Sequence, residues 1–200
     1  GLKHANVSDP SRRGYNSILY LKKLQKSTDL VESCPQIVIA LIHGACIGMG
    51  IDFISACDIR LSTKNSQFCI AEVNMGLCPD VGTMARLPKI IGNESLFREL
   101  ALSGRKFNGN EALKMGLVSS IHDNKDILYK NGYKLGNIIQ SKSPMALLSI
   151  KKLSNYAMNH NVNDLQDYIQ SWNAWALQSN DIKEAAMAFL QKRQPKFAKL

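Results

Sequence analysis

Ile37-Val38-Ile39-Ala40-Leu41-Ile42 runs into His43-Gly44-Ala45-Cys46-Ile47-Gly48-Met49-Gly50, and Ile51-Asp52-Phe53-Ile54-Ser55-Ala56 follows. Six consecutive apolar residues, most of them β-branched, form the pattern of a strand buried on both faces. The glycine-rich turn ends that strand and opens a helix through 51–56. Such a junction leaves backbone N–H groups free at the helix N-terminus, a natural place for an anion or an oxyanion. Gly48 and Gly50 let the backbone approach a ligand closely. No G-K-[ST] follows and the spacing is not G-x-G-x-x-G, so neither a phosphate loop nor a dinucleotide fingerprint is present.

Upstream, residues 1–14 read as a polar loop, with Ser8-Asp9-Pro10-Ser11 and Arg12-Arg13-Gly14 as breakers. Ile18, Leu21, Leu24 and Leu30 give 15–33 the period of an amphipathic helix, stopped by Cys34-Pro35. Downstream, 59–62 and 67–70 read as short strands around a turn at Lys64-Asn65. Beyond Gly76 the segments 82–87, 95–103 and 109–116 are helical, the last with an Asn cap and a Gly stop. A last strand is expected over 117–121. Four helices follow, at 124–141, 144–156, 163–178 (with Asn163 as its cap) and 182–193. The fold class is α/β: strand-and-turn units first, helices last, with no interdomain linker.

The chain has 200 residues, 45% hydrophobic and 20% charged, enough apolar content for a real core. No uninterrupted apolar run approaches the roughly 18 residues of a membrane-spanning helix. The net charge of +9 points to an anionic partner: nucleic acid, an acidic surface or a phosphate-bearing small molecule. The five cysteines, at 34, 46, 57, 69 and 78, form no C-x-x-C pair and read as small buried hydrophobes in a reducing compartment. Cys46 and Cys78 are nucleophile candidates only in principle, since no histidine stands at a telling spacing. The four histidines make no ligand pattern, so no metal is expected. The sequence opens on Gly1-Leu2-Lys3 without an initiator Met, as a piece of a longer chain would.

Three carboxylates stand in apolar company: Asp52 between Ile51 and Phe53, Glu72 between Ala71 and Val73, and Asp80 in Pro79-Asp80-Val81-Gly82. Singly, each reads as a helix cap or a satisfied buried acid, and Asp80 ahead of the Gly82 helix is the best cap candidate. Together, beside an oxyanion-type turn, they suit general acid–base chemistry, because crowded carboxyls in a dry pocket acquire raised and split pKa values.

These residues resemble the enoyl-CoA hydratase/isomerase (crotonase) superfamily. The similarity runs from Pro35 through the Gly48-Met49-Gly50 turn to Ala56-Cys57-Asp58-Ile59-Arg60. It continues through Phe68-Cys69-Ile70-Ala71-Glu72-Val73-Asn74-Met75-Gly76-Leu77, Gly82-Thr83, Glu111-Ala112-Leu113-Lys114-Met115-Gly116-Leu117-Val118 and Lys142-Ser143-Pro144. The pattern is most similar to Δ3,5-Δ2,4-dienoyl-CoA isomerases, which carry an Asp, a Glu and a further Asp at the positions of Asp52, Glu72 and Asp80. Hydratases usually carry Glu at the first of these, and Δ3-Δ2-enoyl-CoA isomerases rely chiefly on one carboxylate near the position of Glu72.

The resemblance implies a spiral of β-β-α turns over 1–121, with its first strands missing ahead of Gly1. It also implies a helical trimerisation region over 122–200, assembled as a trimer or hexamer. It implies a fatty acyl-CoA thioester as substrate, with CoA part of the substrate and no separate cofactor. The thioester oxygen would be held by the backbone N–H groups of Met49 and Leu2, with Gly48, Gly50 and Leu77 lining the substrate. Asp52, Glu72 and Asp80 would be catalytic, with Glu72 at C2 and Asp80 at C6. The departures are Met49 where the family usually has Gly, and Lys3 where an Asp is common. The final Ala198-Lys199-Leu200 resembles the S-K-L peroxisomal address and implies an import receptor as partner, with the mitochondrion as the alternative location. RNA binding, a rival reading of the charge, lacks aromatic–basic interleaving and RNP-type motifs. A catalytically dead subunit is the third reading.

Overall fold

The computed structural model describes residues 9–200. The first element, α1 (Pro10–Ser33), starts earlier than the hydrophobic period indicates. Asp9 caps it by accepting from Ser11 N at 2.9 Å, and Pro10 fills the first helical position, where no N–H is needed. Ser8-Asp9-Pro10 is therefore a start signal, and the expected loop up to Gly14 is corrected to helix from Pro10.

Residues 34–122 wind in turns that give one strand to each of two sheets. β1 (Ile39–Ile42) and β2 (Ala45–Ile47) lead into α2 (Met49–Ser55). β3 (Ile59–Thr63) and β4 (Gln67–Cys69) lead into a 3-10 turn at Glu72–Met75, then α3 (Thr83–Ile91) and α4 (Glu94–Ser103). The third turn holds β5 (Phe107–Asn108), α5 (Gly109–Lys114) and β6 (Ser120–His122). One sheet has the order β1-β3-β6, all parallel; the other has β2-β4-β5, with β5 antiparallel to β4. This is the expected α/β crotonase-like arrangement. Parallel register follows from the repetition itself, since each turn re-enters the sheet in the same direction.

The core lies among these turns, with Ile51, Phe68, Ile70, Leu87, Leu100 and Leu117 fully buried and Phe68 stacked on Phe107 at 5.3 Å. Fit is tightest at Gly109, where a Cβ would stand 2.3 Å from Thr63 O. The strand expected at 117–121 shrinks to Ser120–His122 because the Leu117 and Val118 N–H groups both donate back to Ala112 O, closing α5 instead.

α6 (Lys125–Gln140) packs on β1, β3 and β6, and α7 (Pro144–Ala157) pairs with α8 (Val162–Ala176). The cap of α8 is Asn161, two residues before the expected Asn163, because Asn161 accepts from Asp164 N. α9 (Asn180–Leu190) is capped by Ser179 and so starts ahead of the expected 182. Lys151, 5% exposed, ties α7 to the spiral through Asp58 Oδ2 and Gln36 O, each at 2.8 Å. Asp58 also accepts from Val38 N at 2.7 Å. An aromatic chain runs from Tyr156 of α7 through Tyr168 and Trp172 to Trp175 of α8, with neighbouring rings 4.4–6.1 Å apart. No described helix is long and apolar enough to cross a membrane.

Candidate active site

The glycine-rich junction folds with one difference from the sequence reading: β2 lies inside it, pairing with β4. Gly48 then turns the chain at φ 54°, ψ −120°, a conformation that excludes a side chain with a Cβ at low strain. Gly48 N donates to Cys69 O at 3.0 Å, and Gly48 O accepts from Ile51 N at 2.7 Å. Both ends of the turn are thus fixed. Met49 and Gly50 are the first residues of α2, whose own hydrogen-bond ladder provides no acceptor for their N–H groups. Met49 points its side chain outward, 44% exposed. A Cβ on Gly50 would press on Cys46 Sγ at 3.2 Å, so the turn is packed from beneath.

Glu72 follows β4 and starts the 3-10 turn, which Leu77 N closes by donating to Glu72 O at 3.0 Å. The β4–β2 pairing sets this turn beside the junction: a Cβ on Gly48 would lie 3.4 Å from Glu72 Oε1. Glu72 Oε2 is buried with no hydrogen-bond partner among the described residues. Burial is the main force pushing the Glu72 carboxyl above the usual range, and the charges of Asp52 and Asp80 add to it. The backbone N–H groups of Glu72 and Ala71 pull partly the other way. The three acids are thus brought into one electrostatic neighbourhood, in which burial above all raises the Glu72 carboxyl.

The other two occupy opposite situations. Asp52 is 2% exposed, and its Oδ1 accepts from Thr83 N at 2.6 Å. It therefore satisfies the first turn of α3. The cap expected from Asp80 is supplied by Asp52 from 31 residues upstream; Gly82, in the cap position, has no side chain to offer. Asp80 is exposed, and it is its backbone that is held: Asp80 O accepts from Gln25 Nε2 at 2.8 Å. The neighbouring Val81 O accepts from Thr28 Oγ1 at 2.9 Å. Leu77, 61% exposed, lies on the same loop. Gln25 and Thr28 escape sequence reading because nothing distinguishes two polar residues on a long surface helix until α1 is docked. Leu2 and Lys3 lie outside the described residues.

Cys46 is no nucleophile: its thiol is buried, and burial above all, with the neighbouring Cys57, pushes its pKa to about 12. Among the described residues, no three His, Cys, Asp or Glu side chains group so as to hold a metal ion. A cavity of about 820 Å³ opens between α3 and α7, away from the acids. None of Asp52, Glu72 and Asp80 lines it, and its cations are already engaged: Arg86 by Asp29 and Glu32, Lys151 by Asp58, Arg60 by the carbonyls of Ile54, Cys57 and Leu117, and Lys89 by Asn159. It offers no free charged group, which leaves the carboxylate cluster as the candidate site.

Comparison with known proteins bears on the family. Residues 11–199 match the enoyl-CoA hydratase/isomerase family model. The chain is 46% identical over 183 residues to the mitochondrial Δ(3,5)-Δ(2,4)-dienoyl-CoA isomerase of Mus musculus, covering 90% of this chain and 56% of that protein. It is 41% identical over 180 residues to the peroxisomal Δ(3,5)-Δ(2,4)-dienoyl-CoA isomerase of Arabidopsis thaliana, covering 90% of this chain and 64% of the relative. The chain thus spans between half and two thirds of these relatives. The crystal structure of an enoyl-CoA hydratase from Bacillus anthracis superposes with a TM-score of 0.85 at 24% identity, over 97% of this chain and 72% of that one, a likeness of fold.

Proposed function

Because this chain belongs to the enoyl-CoA hydratase/isomerase family, we propose that its carboxylate cluster isomerises an unsaturated fatty acyl-CoA, moving the double bonds of a 3,5-dienoyl-CoA to the 2,4 positions. Glu72 carries this reading. It is a carboxylate with one oxygen buried and unpartnered, beside a turn that frees backbone N–H groups. Glu72 takes the proton from C2, and the electron pair spreads through the diene to the thioester oxygen. The Met49 N–H stabilises that developing charge, together with a second donor assigned by resemblance to Leu2; each donor contributes about 3–4 kcal/mol in comparable sites. Asp80 delivers a proton to C6, which sets the double bonds at C2=C3 and C4=C5. A positioned acid or base adds roughly 10²–10⁴-fold. Asp52 holds Thr83 N and thereby the start of α3, while its charge adds to the burial that raises the Glu72 carboxyl.

The commitment of Asp52 to Thr83 N–H favours a second reading, in which Glu72 alone shuttles a proton and the substrate is a 3-enoyl-CoA. Addition of water to a 2-enoyl-CoA is the third. Ultraviolet absorbance with 3,5-dienoyl-, 3-enoyl- and 2-enoyl-CoA separates them. Formation of 2,4-dienoyl-CoA is expected, with Glu72→Gln and Asp80→Asn each abolishing it in a folded protein. Activity near wild type in either variant sinks the assignment.

Assembly as a trimer or hexamer through the helices after 121 belongs to the same reading, supported by exposed Trp175, Leu177, Phe189 and Leu190. So does peroxisomal delivery through Ala198-Lys199-Leu200, supported by the peroxisomal relative, with the mitochondrion as alternative. Sedimentation mass and the location of a fluorescent fusion with and without that tripeptide check the two.

A further inference from the structure

α1 is long, and Thr28 is the one described residue in it that is fully buried. Thr28 Oγ1 lies 2.9 Å from Val81 O and 2.8 Å from Gln25 O, so its single proton is shared between the incoming loop and its own helix. Arg86 Nη1 donates to the same hydroxyl at 3.5 Å, while Arg86 Nε and Nη2 donate to Glu32 and Asp29 of α1. One turn earlier, Gln25 Nε2 donates to Asp80 O at 2.8 Å. On the far side of the loop, Asp52 Oδ1 takes Thr83 N. The segment Asp80-Val81-Gly82-Thr83 is therefore gripped at three successive points, two of them from α1. Asp80, whose carboxylate is exposed, has its own carbonyl held from 55 positions away and that of its neighbour Val81 from 53.

We propose that Gln25 and Thr28 are positioning residues for Asp80, setting where its carboxylate meets the distal end of the substrate's diene. This rests on the isomerase reading above. A proton donor at C6 acts on one step only, whereas the Glu72 side of the site handles C2 without it. Displacing a catalytic group by about 1 Å costs on the order of 10²-fold in rate. Thr28→Val keeps the side-chain shape and removes the hydroxyl; Thr28→Ser keeps the hydroxyl.

The test follows two reactions of each variant in D₂O with a 3,5-dienoyl-CoA: exchange of the C2 hydrogen, read by mass spectrometry, and appearance of 2,4-dienoyl-CoA, read by absorbance. Thr28→Val is expected to lower kcat for isomerisation about 10–100-fold, with KM and C2 exchange within about twofold of wild type, and Thr28→Ser to restore kcat. Gln25→Ala, on the exposed side of α1, is expected to show the same split more weakly. Isomerisation within twofold of wild type in both Thr28→Val and Gln25→Ala overturns the proposal. So does a parallel fall of C2 exchange and isomerisation, which is the mark of a merely structural role. Failure of the parent reading looks different, since the wild-type protein itself would then yield no 2,4-dienoyl-CoA, with or without exchange at C2.

Discussion

Lys151→Met tests the buried ion pair that helps join the helical layer to the spiral. Methionine keeps the length and most of the volume of the lysine stem, so little cavity cost enters. What is lost is the ammonium between Asp58 Oδ2 and Gln36 O, both at 2.8 Å, and a longer contact to Val31 O at 3.4 Å. Removing one partner of a buried ion pair costs about 3–5 kcal/mol, because the other charge stays behind. Asp58 keeps the Val38 N–H and its side chain is 17% exposed, which places this case at the low end, about 3 kcal/mol. With a urea m-value of about 2 kcal/mol/M, the midpoint falls by ~1.5 M. Far-ultraviolet circular dichroism through a urea titration measures it. The cause is checked by Lys151→Met with Asp58→Asn: the amide still accepts from Val38 N but carries no charge, so roughly half of the lost stability should return. A midpoint shift below ~0.3 M in the single variant, or no recovery in the double, refutes the account.

Glu72→Gln, expected to abolish activity, should also raise stability at neutral pH. The folded-state pKa of Glu72 is raised, so its ionisation destabilises the native state as pH climbs. The difference from wild type should vanish below the ordinary carboxylate range, and a midpoint–pH series that is parallel throughout argues against it. The acid limb of the wild-type rate profile should lie above the value of a free glutamate for the same reason. Gly109→Ala drives a Cβ into Thr63 O and Lys64 O, both backbone, and should cost more than ~2 kcal/mol, or a melting drop on the order of 5–10 °C. Gly14→Ala, in open space within α1, should instead stabilise by up to ~1 kcal/mol. Equal melting temperatures for the two variants would contradict the packing described.

β1 is legible because a strand buried in a parallel sheet leaves a contiguous apolar run, and β3 and β4 are legible as short strands on either side of the Lys64-Asn65 turn. β2 and β5 are not: three and two residues are too few to show a period, and a partner strand defines them. Asp52, Glu72 and Asp80 stand out because charge in apolar company is conspicuous. Their division of labour is hidden, since the Thr83 N–H that claims Asp52 lies 31 residues away. The same holds for α1, whose Asp9-Pro10 start and Thr28 clamp acquire meaning only from what they touch.

Both tryptophans of the chain, Trp172 and Trp175, sit on α8 with their rings 5.3 Å apart, and Trp172 Nε1 donates to Ser149 Oγ of α7 at 2.8 Å. The intrinsic fluorescence is therefore a local gauge of the α7–α8 pair and is blind to the carboxylate cluster. Circular dichroism, by contrast, averages over every helix. Overlaying the two signals during denaturation distinguishes a molecule that melts as one body from one whose helical layer lets go first.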